Sequence, residues 1–150
     1  MTLNVLQIVP GTSVDGPGLR TSIYLAGCTH RCPGCHNPAS WDFNAGTPYD
    51  VDRLADIVIA HDFNVTLTGG DPLLTSNPEA LLRLLRRLKD AGLNIWAYTG
   101  NTLEASEKIP HLQPILALID TLVDGPFIAE LRDPELPFRG SSNQRIINLR

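Results

Sequence analysis

The sequence predicts an α/β fold: a partial, open β/α barrel built on a mainly parallel sheet. Three observations predict it. Short β-rich runs alternate with amphipathic helical segments, the pattern of a parallel sheet with crossover helices. The chain has 150 residues, whereas a closed eight-stranded barrel usually takes ~250. The motif loops at Cys28, Gly69, Thr99 and Asp124 all follow expected strands. In such folds ligands bind at the carboxyl ends of the strands, so these loops are expected on one edge.

The elements follow in order. Leu3 to Val9 reads as a strand with imperfect alternation. Asp15-Gly16-Pro17-Gly18 is a turn signal, because Pro presets φ and Gly accepts φ > 0. Thr21 to Leu25 is a second β-rich run, ending at Ala26-Gly27-Cys28. The segment through Asn37-Pro38 reads as loop, interrupted by Pro33, Gly34 and Pro38. Thr47-Pro48 has the form of a cap and a first-turn proline, opening a helix to about His61.

Val65 to Leu67 is a strand running into Gly69-Gly70-Asp71-Pro72. The next helix carries the strongest signals. Asn77 caps it, Pro78 opens it and Gly92 stops it, with Leu81, Leu84, Leu85 and Leu88 on one stripe. Its basic residues, Arg83, Arg86, Arg87 and Lys89, read as a solvated face. Ile95 to Tyr98 is a strand, then come a short helix after Thr102 and a poorer one from Gln113 to Leu118. Thr121 to Val123 is the next strand, and the stretch from Leu131 is polar and proline-rich until Arg145. No repeat or low-complexity linker divides the chain, so residues 1–150 are expected to form one domain.

Composition narrows the function classes. Hydrophobic residues make up 43% of the chain, enough for a core. The net charge is −4 with no basic run, which argues against nucleic acid as a partner. No apolar run approaches the ~18 residues of a spanning helix, so no membrane partner is expected. The N-terminal residues lack the features of a signal peptide, and a cytoplasmic location is expected.

The three cysteines are more informative. All lie between positions 28 and 35, as Cys28-x-x-x-Cys32-x-x-Cys35. A disulfide framework uses an even number and spreads them. Three thiols on one short loop suit a metal centre in a reducing compartment. A 4Fe–4S cube normally takes four thiolates, so three leave one iron open. A Cys₃His zinc site completed by His30 or His36, without enzymatic activity, is the alternative.

The cysteine spacing after a strand, followed by Gly69-Gly70-Asp71-Pro72 after the next, resembles the radical S-adenosylmethionine superfamily. Within it the chain is most similar to the activating proteins of anaerobic ribonucleotide reductase, a glycyl-radical enzyme. That similarity is carried by Val14 to Arg20, Ala26 to Asn37, Trp41, Gly69 to Leu73, Trp96 to Gly100, Val123 to Phe127 and Arg139 to Gln144. The resemblance implies a single radical S-adenosylmethionine domain over residues 1–150. It implies a 4Fe–4S cluster on Cys28, Cys32 and Cys35, and S-adenosyl-L-methionine as second cofactor. Cleavage of that molecule would yield a 5′-deoxyadenosyl radical, which abstracts hydrogen from a glycine of the large catalytic subunit. A flavodoxin or ferredoxin-type donor would supply the electron. An activase of another glycyl-radical enzyme is the neighbouring reading.

The resemblance also implies cofactor contacts. Gly69 and Gly70 would let the backbone approach the methionine part. Asp71, where many members have Glu, would accept from its ammonium group. Gly34 would let the loop wrap the cluster, and His36 would sit near the adenine. Thr99 and Asp124 would reach ribose hydroxyls. Trp41 and Trp96 read as packing residues. No catalytic acid or base is singled out.

Overall fold

The computed structural model describes residues 1–28 and 41–150. Among these residues eleven strands and α-helices follow one another: β1 (Thr2–Thr12), β2 (Arg20–Leu25), β3 (Thr47–Asp50), α1 (Val51–His61), β4 (Asn64–Gly69), α2 (Pro78–Asp90), β5 (Ile95–Tyr98), α3 (Leu103–Glu107), α4 (Gln113–Leu116), β6 (Thr121–Asp124) and β7 (Arg145–Asn148). The strands form one sheet in the order β3-β1-β2-β4-β5-β6-β7.

The expectation of a mainly parallel, open β/α barrel is corrected here. The pairs β2–β4, β4–β5 and β5–β6 are parallel. The pairs β1–β2, β1–β3 and β6–β7 are antiparallel. The sheet is therefore mixed, with β3 and β7 as its two edges. The reason is in the connections. A parallel pair needs a crossover of a dozen or more residues, usually a helix. Among the described residues only α1, α2 and the α3–α4 segment provide one, between β3 and β6. β1 turns into β2 through residues 13–19, and no α-helix separates β6 from β7.

Two further expectations change. Thr47-Pro48 does not open a helix. Thr47–Asp50 is the edge strand β3, pairing Asn4 with Pro48 and Leu3 with Tyr49. Proline is tolerated at an edge because its missing N–H need not serve a second neighbour. Asp50 is the true cap of α1, its carboxylate accepting from the Arg53 N–H at 3.2 Å. The imperfect alternation of β1 also has a cause. Its register against β2 shifts between Val5 and Gln7 and again between Val9 and Thr12, as at β-bulges.

The helix over 78–90 forms as its sequence pattern predicts. The Asn77 side chain accepts from the Ala80 N–H at 3.2 Å. Leu81, Leu84, Leu85 and Leu88 are fully buried against Ile23, Val65, Leu67 and Ile95 of the sheet's apolar face and Leu54 and Val58 of α1. Truncating one such leucine to alanine costs about 2–5 kcal/mol. Three of the four basic residues of α2 bond to acids elsewhere: Arg83 to Asp52 at 2.8 Å, Arg87 to Asp56 at 2.6 Å and Lys89 to Asp120 at 2.7 Å. No helix among the described residues is long and apolar enough to cross a membrane.

The C-terminal strand β7 is fastened by Arg145. Its guanidinium forks onto the buried Asp124 of β6 and onto Glu104 of α3, the latter at 3.0 and 2.7 Å. The hydrogen bonds from Arg145 hold the Glu104 carboxyl down at about 2 against its ordinary 4.5. A depressed carboxyl contributes stability that is present above its ordinary pKa and is lost as pH falls through the lowered one. Glu104→Gln is therefore expected to reduce stability near neutral pH and to flatten its fall between about pH 5 and about pH 2. Denaturant midpoints measured across that range test it. An acid arm unchanged in the variant would show that Glu104 contributes nothing.

Candidate functional site

Strand alternation gives the sheet two unlike faces. Ile23, Leu25, Val65, Leu67, Ile95, Ala97 and Leu122 face the helices. The intervening residues, among them Ser22, Tyr24, Thr66, Thr68, Trp96 and Tyr98, face the other way. There, residues 14–15, 125–127 and 138–144 join the carboxyl ends of β4 and β5 to enclose a cleft of about 420 Å³. Cys28, Gly69, Gly70, Asp71 and Thr99 all line it. Cys32, Cys35, Gly34 and His36 lie outside the described residues.

The ends of the cysteine segment meet in the described structure. The Cys28 N–H donates to the Trp41 carbonyl at 3.2 Å. Just before it, Gly27 has φ +108, and a Cβ there would stand 2.1 Å from the Phe43 ring. Glycine is thus required where the chain leaves β2 and passes Phe43.

Gly69 is required for an equally local reason. It has φ +109, and a Cβ on it would lie 2.4 Å from the Leu25 carbonyl oxygen. The missing side chain lets β4 close onto the end of β2, where the Gly70 N–H donates to Leu25 O at 2.8 Å and the Asp71 N–H to Gly27 O at 2.7 Å.

Asp71 is 2% exposed. One carboxylate oxygen accepts from the Leu73 N–H at 3.1 Å. The other accepts from the Thr99 hydroxyl at 3.0 Å and the Gly100 N–H at 2.9 Å. Asp71 and Thr99, singled out separately in the sequence, are therefore partners, and their bond joins the β4 and β5 exits.

Asp124 is placed differently. It shares the parity of Leu122 and so points to the helix side, 1% exposed, accepting from the Leu103 N–H at 2.7 Å and from Arg145. It is absent from the cleft lining, to which its neighbour Gly125 belongs. Trp96 is a packing residue, its ring meeting Phe138 edge-on at 5.5 Å. The Arg20 guanidinium lies 5.9 Å from the same ring and donates to the carbonyls of Val65 and Asn94.

Sequence reasoning singled out none of Asp15, Tyr98, Phe127, Phe138, Arg139 and Gln144, all of which line the cleft. All but Phe138 lie in segments that carried the family resemblance, which was the available signal. The segment 139–144 is a self-bonded wall. Gln144 accepts from the N–H groups of Gly140 and Ser141 at 2.8 and 3.2 Å and donates to Gly125 O at 3.0 Å. Asn143 donates to Pro126 O at 2.8 Å.

Two predictions follow from these bonds. Asp71→Ala leaves a buried hydroxyl and two N–H groups without their acceptor, at about 1–3 kcal/mol for each buried group. A loss of about 3 kcal/mol or more in denaturant unfolding is expected; a loss under about 1 kcal/mol would contradict the described bonding. Tyr24 donates its hydroxyl proton to Asp15. Burial, followed by that bond, pushes the phenol up to about 12, and burial also raises Tyr98. A raised phenol contributes stability below its ordinary pKa of 10 that is lost as pH rises through the higher one. Asp15→Asn is expected to lower the Tyr24 ionisation from about 12 while leaving it above 10, since burial is the larger cause. Ultraviolet titration of phenolate against a Tyr24→Phe control reads it; no change would remove Asp15 as a cause.

A model of the 4Fe-4S single cluster domain matches residues 14–147. The chain is 38% identical to the anaerobic ribonucleoside-triphosphate reductase-activating protein of Escherichia coli, over 99% of this chain and 100% of the relative. It is 40% identical to the protein of that name from Haemophilus influenzae, over 96% of this chain and 97% of the relative. The counterpart from Vibrio cholerae is 39% identical over the same shares. With a cysteine-lined cleft and likeness over nearly its whole length, the chain belongs to the family of anaerobic ribonucleoside-triphosphate reductase-activating proteins.

Proposed function

We propose that residues 1–150 form a single radical S-adenosylmethionine domain that installs a glycyl radical on the large catalytic subunit of anaerobic ribonucleoside-triphosphate reductase. The observation that carries the reading is one shared cleft. Cys28 lines the same cavity as the Gly69–Asp71 and Thr99–Gly100 loops. The residues fit the implied groups. A cavity of about 420 Å³ falls within the range of small-molecule sites, ~300–1,000 Å³. The Cys28-x-x-x-Cys32-x-x-Cys35 donor set suits an iron–sulfur cluster with one open iron. The match to a 4Fe-4S domain favours this cluster over a Cys₃His zinc site.

When bound, the cluster and S-adenosylmethionine supply the radical chemistry, through reductive cleavage to methionine and a 5′-deoxyadenosyl radical. The chain's own residues bind, orient and shield. Cys28, Cys32 and Cys35 hold the cluster, and Gly34 and His36 belong to the loop around it. Gly69, Gly70 and Thr99 form the wall beside the methionine and ribose. Asp71 acts through that wall, because its oxygens already accept from Leu73, Thr99 and Gly100. Asp124 acts at one further remove, holding the N-terminus of α3. Val14, Phe127 and Phe138 give the cleft apolar sides that exclude water. A glycine-bearing loop of the large subunit would complete the enclosure. A flavodoxin or ferredoxin-type donor in the cytoplasm would deliver the electron.

The test begins with protein purified without oxygen. About four irons per chain are expected, with formation of 5′-deoxyadenosine on dithionite reduction in the presence of S-adenosylmethionine. Cys28→Ala should abolish that product. Added large subunit should acquire a glycyl radical signal in electron paramagnetic resonance. One tightly bound zinc and no cleavage would overturn the reading. Cleavage without radical transfer to that subunit would redirect it to another glycyl-radical partner.

A further inference from the structure

The sheet ends in two edge strands, β3 and β7, and their open sides differ. In an antiparallel pair, residues alternate between bonding the neighbouring strand and turning their N–H and C=O away from it. The Asn4 carbonyl of β1 accepts from the Ala26 N–H, so Asn4 bonds toward β2. Its partner on β3, Pro48, therefore stands at a position that points out of the sheet. Proline offers no N–H there, which closes that edge to further pairing.

β7 carries no such closure. The Val123 carbonyl accepts from the Thr99 N–H, and the Leu149 N–H donates to the Asp120 carbonyl. With this register Arg145 and Ile147 bond toward β6, while Ile146 and Asn148, opposite Val123 and Thr121, turn their N–H and C=O outward. Among the described residues nothing bonds to those four backbone groups. Ile146 is 38% exposed, and its side chain lies on the cleft side of the sheet. No cation guards the edge either. Arg145 is turned back onto Asp124 and Glu104, and Arg150 onto Asp120 and the Leu116 carbonyl.

This edge begins at the cleft. Gln144, which lines it, directly precedes β7, and Arg145 stands opposite Asp124 at the end of β6. A chain paired antiparallel with β7 would run in the direction of β6 and leave the sheet at the cleft's rim. From there to the β5 exit is three strand spacings, ~14 Å. About four or five extended residues cover that distance at ~3.3 Å each.

We propose that β7 is a docking strand for the large catalytic subunit. An extended segment of that subunit pairs antiparallel with β7 and leads the glycine-bearing residues that follow it into the cleft. The inference rests on the glycyl-radical reading above, in which that subunit must bring a glycine to this site. Recognition is by backbone hydrogen bonds to Ile146 and Asn148, with the Ile146 side chain as an apolar contact.

The test uses the iron-loaded full chain and the purified large subunit, mixed without oxygen. Residue-resolved hydrogen exchange comes first. In the free chain the Ile146 and Asn148 N–H groups should exchange fast, and those of Arg145, Ile147 and Leu149 slowly. Adding the large subunit should slow Ile146 and Asn148 by about tenfold or more. Ile146→Pro removes an outward N–H and spares the β6–β7 ladder, so iron content and denaturant midpoint should change little. Its affinity for the large subunit should fall by about tenfold to a hundredfold, the cost of an acceptor left unpaired, and the yield of glycyl radical should fall with it. Ile146→Val keeps the N–H and should bind as the wild type does. A complex in which Ile146 and Asn148 exchange as in the free chain, or an Ile146→Pro chain that binds normally, overturns the inference and leaves the activation reading standing. Protection that appears in the chain alone as its concentration rises assigns the edge to a second copy and also overturns it. A wild-type chain that neither binds the large subunit nor installs a radical on it brings down both.

Discussion

The arrangement of the cleft depends on the carboxylate of Asp71. Its two oxygens accept from Leu73, Thr99 and Gly100, while its own N–H donates to Gly27. One buried residue thereby joins the exits of β2, β4 and β5. These bonds are made in an apolar setting, where leaving any of them unmade is expensive. The exits are therefore held as a set. Gly69 makes the knot possible, since any side chain there would collide with the Leu25 backbone.

From this knot the site extends in two directions. Toward the N-terminus, Gly27 and Cys28 leave β2 against Phe43, and the Cys28 N–H reaches the Trp41 carbonyl. Toward the C-terminus, the Thr99 N–H donates to Val123 O and the Gly125 N–H to Asn101 O, bringing the β6 exit alongside. Gln144 and Asn143 then bond back to Gly125 and Pro126. The segment after β6 thus becomes a wall through polar bonds rather than through a core of its own. The two faces of the sheet divide the labour. The helix-facing side carries the leucine-rich core, and the opposite side carries the hydroxyls, aromatics and guanidinium that a ligand would meet.

Much of this was legible residue by residue. The Leu81–Leu88 stripe with its Asn77 cap defined α2, because helix periodicity and capping are local properties. The strand-then-loop pattern correctly brought Cys28, Gly69 and Thr99 to one cleft. The mixed topology was not legible, since pairing direction depends on which strands meet and on the connections between them. Pro48 misled for a related reason: the same residue suits a helix start and an edge strand, and only the partner β1 decides between them. Asp124 shows the limit most plainly. One step in register separates it from the cleft-lining Gly125, and alternation turns its carboxylate to the other face.

By itself the sequence determined the chemistry available: three clustered thiols, a glycine-rich turn and a leucine-striped helix. These rest on residue type and short spacing, which need no knowledge of distant contacts. The tertiary structure decided which of these groups face one another. It turned Asp71 and Thr99 into a bonded pair and made a wall of residues 138–144. Each outcome brings together residues far apart in the chain. Long-range contacts depend on sheet order, register and close backbone approach, and no local pattern encodes them.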